Sequence, residues 1–343
     1  MKALVLEEYR RFAVKDVPTP DPASDEVLVR VRACGICGSD VHGMDGSTGR
    51  RIPPLIMGHE AAGEIAAVGA EIDGWKVGDR VTFDSTVSCG QCWYCRRGEI
   101  NLCDARRVLG VSCQEYRRNG AFAEFVAVPA RILYRLPEEL SFEQAAMVEA
   151  VSVAVHAAKR AALTPATSTV VVGAGMIGLL LIQVLKAAGC SQIIAIDRDS
   201  SRLELAHKLG ATAILVAGEA GLVGTVQSLT GGRGADVAFE VVGIAATVQT
   251  AIDCVRKGGT VTLVGNLERQ VPLPLQAVVT RQISLLGTCA SAGEYPECLE
   301  LIARGQVDVT AFISAEAPLE AAASWFERLH GGEPGLMKVL LQP

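Results

Sequence analysis

The chain has 343 residues and a mass of 36.1 kDa, more than twice the ~150 residues of an ordinary domain, so two cores are expected. Its formal net charge is −6, from 32 basic and 38 acidic residues, and beyond scattered arginine pairs it has no cation cluster, which excludes the electrostatic footprint of a nucleic-acid binder. Half the residues are hydrophobic, enough for large cores.

The first eight residues already include two acids before any long apolar run, which argues against a signal peptide and for a cytoplasmic protein. In that setting eleven cysteines point to metal or reduced thiols rather than disulfides.

From residue 1 to about 134 the pattern is short β-type runs between turn residues: 2–6, 26–33, 61–68, 80–83, 121–128 and 132–135. Prolines 18, 20 and 22 and glycines 69 and 74 punctuate them. Inside this β-rich region stands Gly35-Ile36-Cys37-Gly38-Ser39-Asp40-Val41-His42, and 22 residues after Cys37 comes Gly58-His59-Glu60. Thiolate, imidazole and carboxylate are zinc ligand types, and a set with no obvious fourth member reads as a reactive metal site with an open position. Adjacent residues of a regular strand point to opposite faces, so His59 and Glu60 can share a metal only where the backbone is irregular.

Cys89, Cys92, Cys95 and Cys103 lie within fifteen residues, a spacing that closes a tetrahedral thiolate shell around a structural zinc. Such a closed site fixes a lobe and takes no part in chemistry. Glycines 90 and 98 let the loop curl around the ion. Next, Ser141 and Gln144 form a capping box that starts a helix carrying Glu149. A carboxylate among apolar neighbours needs a cation or hydrogen-bond donors, which a metal would supply. His156 reads as a packed side chain.

Residues 161–185 carry no charge and match a membrane span in length, but Pro165, the three consecutive hydroxyl residues at 167–169 and three glycines favour a buried strand, turn and helix. The β-branched run from Thr169 opens into Gly173-Ala-Gly175-Met176-Ile177-Gly178 and an apolar helix from Leu179. That strand-before, helix-after setting is what a dinucleotide-binding turn requires: tight turn, close approach to a pyrophosphate, close packing. Asp197 ends the next strand, where an acid accepts from ribose hydroxyls and favours NAD over NADP, while Arg198 and Arg202 keep the alternative open. Further βα alternation at 213–216, 236–242, 260–265 and 283–287 means a doubly wound parallel sheet. Val241, Gly243, Val264 and Gly265 fall at its carboxyl edge, where the cofactor should rest. The last forty residues break the alternation, with helices near 294–304 and 319–330 and a closing run at 338–341.

The two motifs around Cys37 and His59, followed by Ala61-Ala62-Gly63, resemble the zinc-dependent medium-chain dehydrogenases, and within them the polyol (sorbitol-like) branch. The resemblance spans nearly the whole chain. It implies an α/β protein with a β-rich chaperonin-10-like catalytic domain, 1–152 and 303–343, and a Rossmann domain, 153–302, with metal and NAD facing each other across a cleft. It implies direct zinc ligation by Cys37 and His59, commonly by Glu60, with Glu149 approaching the metal or its water. Ser39 and His42 stand where the family carries the substrate proton to solvent. The implied activity is reversible hydride transfer from a secondary alcohol or polyol to NAD, in a homodimer or homotetramer, with no nucleic-acid or membrane partner. The sequence departs from the family at Ala150, where proline usually follows the acid, and at 287–291, Gly-Thr-Cys-Ala-Ser, which lacks the Arg-Tyr pair of sorbitol-type members. A threonine or small-diol dehydrogenase, a zinc-free quinone reductase of the same fold, and a non-catalytic NAD-binding regulatory protein are the competing readings.

Overall fold

The computed structural model describes residues 1–113 and 116–343. The chain divides into two compact units, 1–149 with 295–304 and 309–343, and 150–294 with 305–308. The division departs from the expected boundaries chiefly at the Tyr295–Ala303 helix. That helix groups with the first unit, where the Tyr295 ring stacks on Tyr134 at 4.8 Å.

The first unit opens with β1 (Lys2–Glu8), β2 (Arg11–Asp16), β3 (Glu26–Gly35), β4 (Glu60–Val68), β5 (Arg80–Phe83), β6 (Phe125–Pro129) and β7 (Leu133–Arg135). Its hub is β3, antiparallel to both β4 and β6. Val27, Val29 and Val31 of β3 are buried and Arg30 and Arg32 lie on its other side, the period-two pattern of a strand with one face on a core. Leu4, Leu6, Ile65, Phe83 and Phe122 fill that core. β2 was not anticipated, since its residues are half-buried or exposed and alternate poorly.

The second unit is a six-stranded parallel sheet of β8 (Ser168–Val172), β9 (Gln192–Asp197), β10 (Ala213–Val216), β11 (Ala235–Glu240), β12 (Val255–Leu263) and β13 (Ser284–Gly287). The order is β10-β9-β8-β11-β12-β13, so the winding reverses between β8 and β11, where a crevice forms at the carboxyl edge. Val170–Val172 and Ile193–Ile196 are buried throughout, as strands covered on both faces must be. The Met176–Ala187 helix starts three residues before the expected position because Gly175 is its N-cap, and Gly178 to Leu185 are all buried. This strand, turn and helix account for the uncharged stretch. Among the described residues no helix is long and apolar enough to cross a membrane.

The chain then returns to the first unit. β14 (Ile313–Pro318) and β15 (Lys338–Gln342) extend its sheet in the order β7-β5-β4-β3-β15-β14, with β6 also on β3. Between them the Ala322–His330 helix sets Phe326 against Phe12 and Phe122, at centroid distances of 4.5 and 5.9 Å.

Candidate metal centre and cofactor edge

Three neighbouring strands assemble the metal centre. β3 ends at Gly35 opposite Glu60, the first residue of β4, and β15 pairs on the other side of β3 through Leu340 and Gly35. Just beyond β3, Cys37 is the N-cap of a one-turn helix, Gly38–Val41. Gly58 has φ +94, and a Cβ there would come to 2.8 Å from the Phe122 backbone nitrogen. The left-handed turn keeps His59 outside β4, so His59 and Glu60 can face one point. The ligand atoms of Cys37, His59 and Glu60 all lie within 4.8 Å of one another.

These donors fit a zinc ion. Glu60 Oε1 is buried and accepts no hydrogen bond, a costly arrangement unless a cation meets it. Glu60 Oε2 is taken by the Lys338 ammonium, which also donates to Ile36 O at 3.2 Å. Burial works against the charge on Lys338, but Glu60 and Cys37 outweigh it and raise its pKa.

Behind His59 stands a buried pair that the sequence reading did not assign. Arg51 Nη2 and Nε donate to Asp40 Oδ1 at 2.8 and 3.2 Å, and Asp40 Oδ2 lies 3.3 Å from His59 Nδ1, though without hydrogen-bond geometry. Burial opposes ionisation of Asp40; His59 and Arg51 more than offset it and hold the carboxyl below its ordinary range. For His59, burial acts against the charged ring while Asp40 and Cys37 raise its proton affinity. A carboxylate at Nδ1 directs a proton there and leaves the other ring nitrogen for metal.

Glu149 opens the Val148–Lys159 helix rather than extending the Phe142–Ala146 helix, which its Ser141–Gln144 capping box starts and which ends at Met147. Its carboxyl lies outside the three-residue donor cluster. Burial and then the Glu60 charge push it up to about 7. Tyr295 is fully buried, and its hydroxyl makes no hydrogen bond among the described residues. Burial, Asp84 and Glu149 raise the pKa of that hydroxyl. Ser39 and His42 are exposed on one helical turn, and Ser39 Oγ accepts from Arg51 at 3.3 Å.

The four-cysteine lobe is equally explicit. Cys89, Cys92, Cys95 and Cys103 bring their sulfurs within 4.8 Å of one another, with Cys92–Cys95 at 3.5 Å and Cys89–Cys95 at 3.9 Å. A tetrahedral site with Zn–S of ~2.3 Å spaces its sulfurs by about 3.8 Å. Gly90 and Gly98 take φ +73 and +79, the curl that other residues resist. Backbone N–H groups of Cys95 and Asp104 bring the Cys92 thiol down to about 6, as suits a thiolate ligand.

At the carboxyl edge of the parallel sheet each glycine has its own constraint. Gly173 has φ +105; a Cβ on Gly178 would strike Gly173 O at 1.9 Å; one on Gly175 would meet nothing within 4 Å. That open space at a helix N-terminus is a cradle for a pyrophosphate. Gly243 and Gly265 interlock, a Cβ on either reaching the other loop's backbone within about 2.4 Å. Val241 and Val264 lead into these loops through bonds to Val172 O and Glu240 O. Asp197 ends β9 and accepts from the Ala174 and Asp199 N–H groups at 2.6 and 3.0 Å, while Arg198 and Arg202 are exposed. Glu240, absent from the sequence reading, is buried and accepts from Val242 and Gly243 N–H, shaping the same edge.

A closed thiolate lobe, an open Cys-His-Glu site and a dinucleotide crevice define a zinc-binding dehydrogenase. Residues 23–138 match the family model of the alcohol dehydrogenase GroES-like domain and 177–304 that of the zinc-binding dehydrogenases. The chain is 37% identical to sorbitol dehydrogenase of Bacillus subtilis, over all of this chain and 97% of that protein. It is 35% identical to D-xylulose reductase A of Aspergillus niger, over 96% and 94%. The structure of alcohol dehydrogenase TADH from Thermus sp. superposes with a TM-score of 0.93 at 36% identity, covering 100% and 99%. The chain therefore belongs to the zinc-dependent medium-chain dehydrogenases, in their polyol dehydrogenase branch. It is an oxidoreductase whose cofactors are zinc and NAD(P).

Proposed function

We propose that the protein interconverts a polyol and its ketose through Cys37, His59 and Glu60, with NAD as hydride acceptor. The observation that carries this is the convergence of those three donors within 4.8 Å, with a buried Glu60 oxygen left without a hydrogen bond. Bound zinc supplies Lewis acidity toward the alcohol oxygen and bound NAD accepts the hydride. Asp40, braced by Arg51, orients the His59 ring. Ser39 and His42, exposed and three residues apart on one turn, pass the released proton to solvent. Glu149, beside the cluster, orders water or a substrate hydroxyl. Asp197 at the end of β9 supports ribose recognition and hence NAD.

The intact donor set disfavours the zinc-free reductase and the non-catalytic reading, and the relatives act on sugars and sugar alcohols by their names. Without the Arg-Tyr pair at 287–291 we read the substrate as a sugar alcohol or derivative other than sorbitol, with small diols and threonine as competitors. We read the protein as cytoplasmic, with its clustered cysteines arranged for metal rather than for disulfides. An assay of reduced-cofactor formation with zinc-loaded protein, over polyols, sugar-alcohol phosphates, diols and threonine with NAD and NADP in parallel, tests the reading. Turnover of a polyol with NAD, lost by at least about 10³-fold in Cys37→Ala or His59→Ala while NAD still binds, is expected. Full activity in either variant defeats the assignment, and enone reduction with NADPH alone would favour the rival enzyme.

A further inference from the structure

Lys338 is fully buried in a strand whose next three residues, Val339 to Leu341, are also fully buried. A lysine is rarely placed so unless a specific anion requires it. Its Nζ bonds Glu60 Oε2, while Oε1 is buried without a hydrogen bond and the carboxylate reaches within 4.8 Å of the Cys37 and His59 ligand atoms. The pairing of Leu340 with Gly35, and of Gly35 with Glu60, sets this register. We infer that Lys338 is a positioning residue that keeps Glu60 a one-oxygen metal ligand, so that the fourth coordination position stays open to substrate. The inference rests on Cys37, His59 and Glu60 being the catalytic metal site.

A carboxylate offers two acceptor oxygens, and zinc in such sites takes three protein ligands plus one exchangeable position. A second Glu60 oxygen would fill that position. The ammonium on Oε2 opposes this. The approach of Gly35, where even a Cβ would come to 2.3 Å of Oε2, limits the carboxylate's freedom on the strand side. Charge supports the same arrangement. The Lys338 ammonium answers the Glu60 carboxylate in a buried setting, where an uncompensated charge is costly. A salt bridge of purely structural value would not need to leave one buried carboxylate oxygen without a hydrogen bond.

The test uses cobalt(II) in place of the catalytic zinc, because its visible d–d absorption is strong in four-coordinate and weak in five-coordinate sites, and the Cys37 thiolate adds a charge-transfer band. Wild-type protein and Lys338→Arg, which retains a donor for Oε2, are expected to give the four-coordinate spectrum. Lys338→Met is expected to give the weaker five-coordinate spectrum and a KM at least tenfold higher, with a smaller change in kcat. Lys338→Met/Glu60→Gln lacks the second anionic oxygen and is expected to return to the four-coordinate spectrum, and it keeps the test open if the single variant fails to fold. A wild-type spectrum and KM in folded Lys338→Met, a five-coordinate Lys338→Arg, or a double variant that stays five-coordinate overturns the inference alone. Absence of the thiolate band in cobalt-loaded wild type would instead overturn the site reading, and the inference with it.

Discussion

Gly35 and Glu60 sit opposite each other where β3 meets β4, and a Cβ on residue 35 would approach Glu60 Oε2 to 2.3 Å. The absence of a side chain at one position thus places the carboxylate at the other. Gly35→Ala should displace Glu60, weakening metal binding and kcat/KM by about 10–100-fold, the usual effect of disturbing a ligand's support. Zinc content after dialysis and steady-state kinetics would check this; unchanged values would mean that the strand yields freely.

The cysteine lobe predicts a separation of stability from chemistry. Cys92→Ser should lose one bound zinc per chain and lower the melting temperature by roughly 5 °C or more. Turnover per folded molecule should remain within about twofold. Metal analysis with calorimetry and kinetics reads both, and a total loss of turnover in well-folded protein would contradict a purely structural lobe.

The raised pKa of Glu149 has a signed consequence for stability in protein stripped of the catalytic metal. Its folded pKa of about 7 lies above the ordinary 4.5, so below pH 4.5 both states are protonated and its contribution is fully present. Between pH 4.5 and 7 the unfolded chain ionises first, and stability is lost as pH rises. Glu149→Gln should remove that loss, narrowing the decline between pH 5 and pH 8 by about 2–3 kcal/mol. Urea melts of stripped wild type and variant at pH 5 and pH 8 measure it; parallel slopes in the two proteins would refute it.

The outermost strand of the parallel sheet, β13, is preceded in the chain by exposed Leu267, Leu273, Leu275 and Val279, the last two about two-thirds exposed. An uncharged edge strand preceded by exposed apolar side chains invites pairing with a like edge. Leu275→Glu with Val279→Lys should lower the mass of any oligomer built on this edge, read by light scattering. A variant with the wild-type mass would move the interface elsewhere.

Much of this was legible in the chain. The thiolate spacing at 89–103, the glycine turn at 173–178 and the βα alternation appear as local patterns because each is set by neighbours within a few residues. The strand at 80–83 and that at 213–216 match in full, since turn residues bound them closely. Asp40 was visible inside the Cys37 motif but carried no role, because its partners Arg51 and His59 are distant in sequence. Lys338 looked like the polar start of a closing strand, although a lone cation heading an apolar run was a signal that could have been weighed.

The sequence by itself determined which chemistries the chain can hold: metal donors of the right kinds, a phosphate-binding turn, and the periodicities of a β-rich unit and a parallel sheet. Only the tertiary structure decided which donors meet. His59 and Glu60 share a site because Gly58 adopts a left-handed turn packed on Phe122, and Lys338 reaches Glu60 because β15 closes on β3. Contacts between residues 278 positions apart depend on the register of strands across a sheet, which no local pattern encodes.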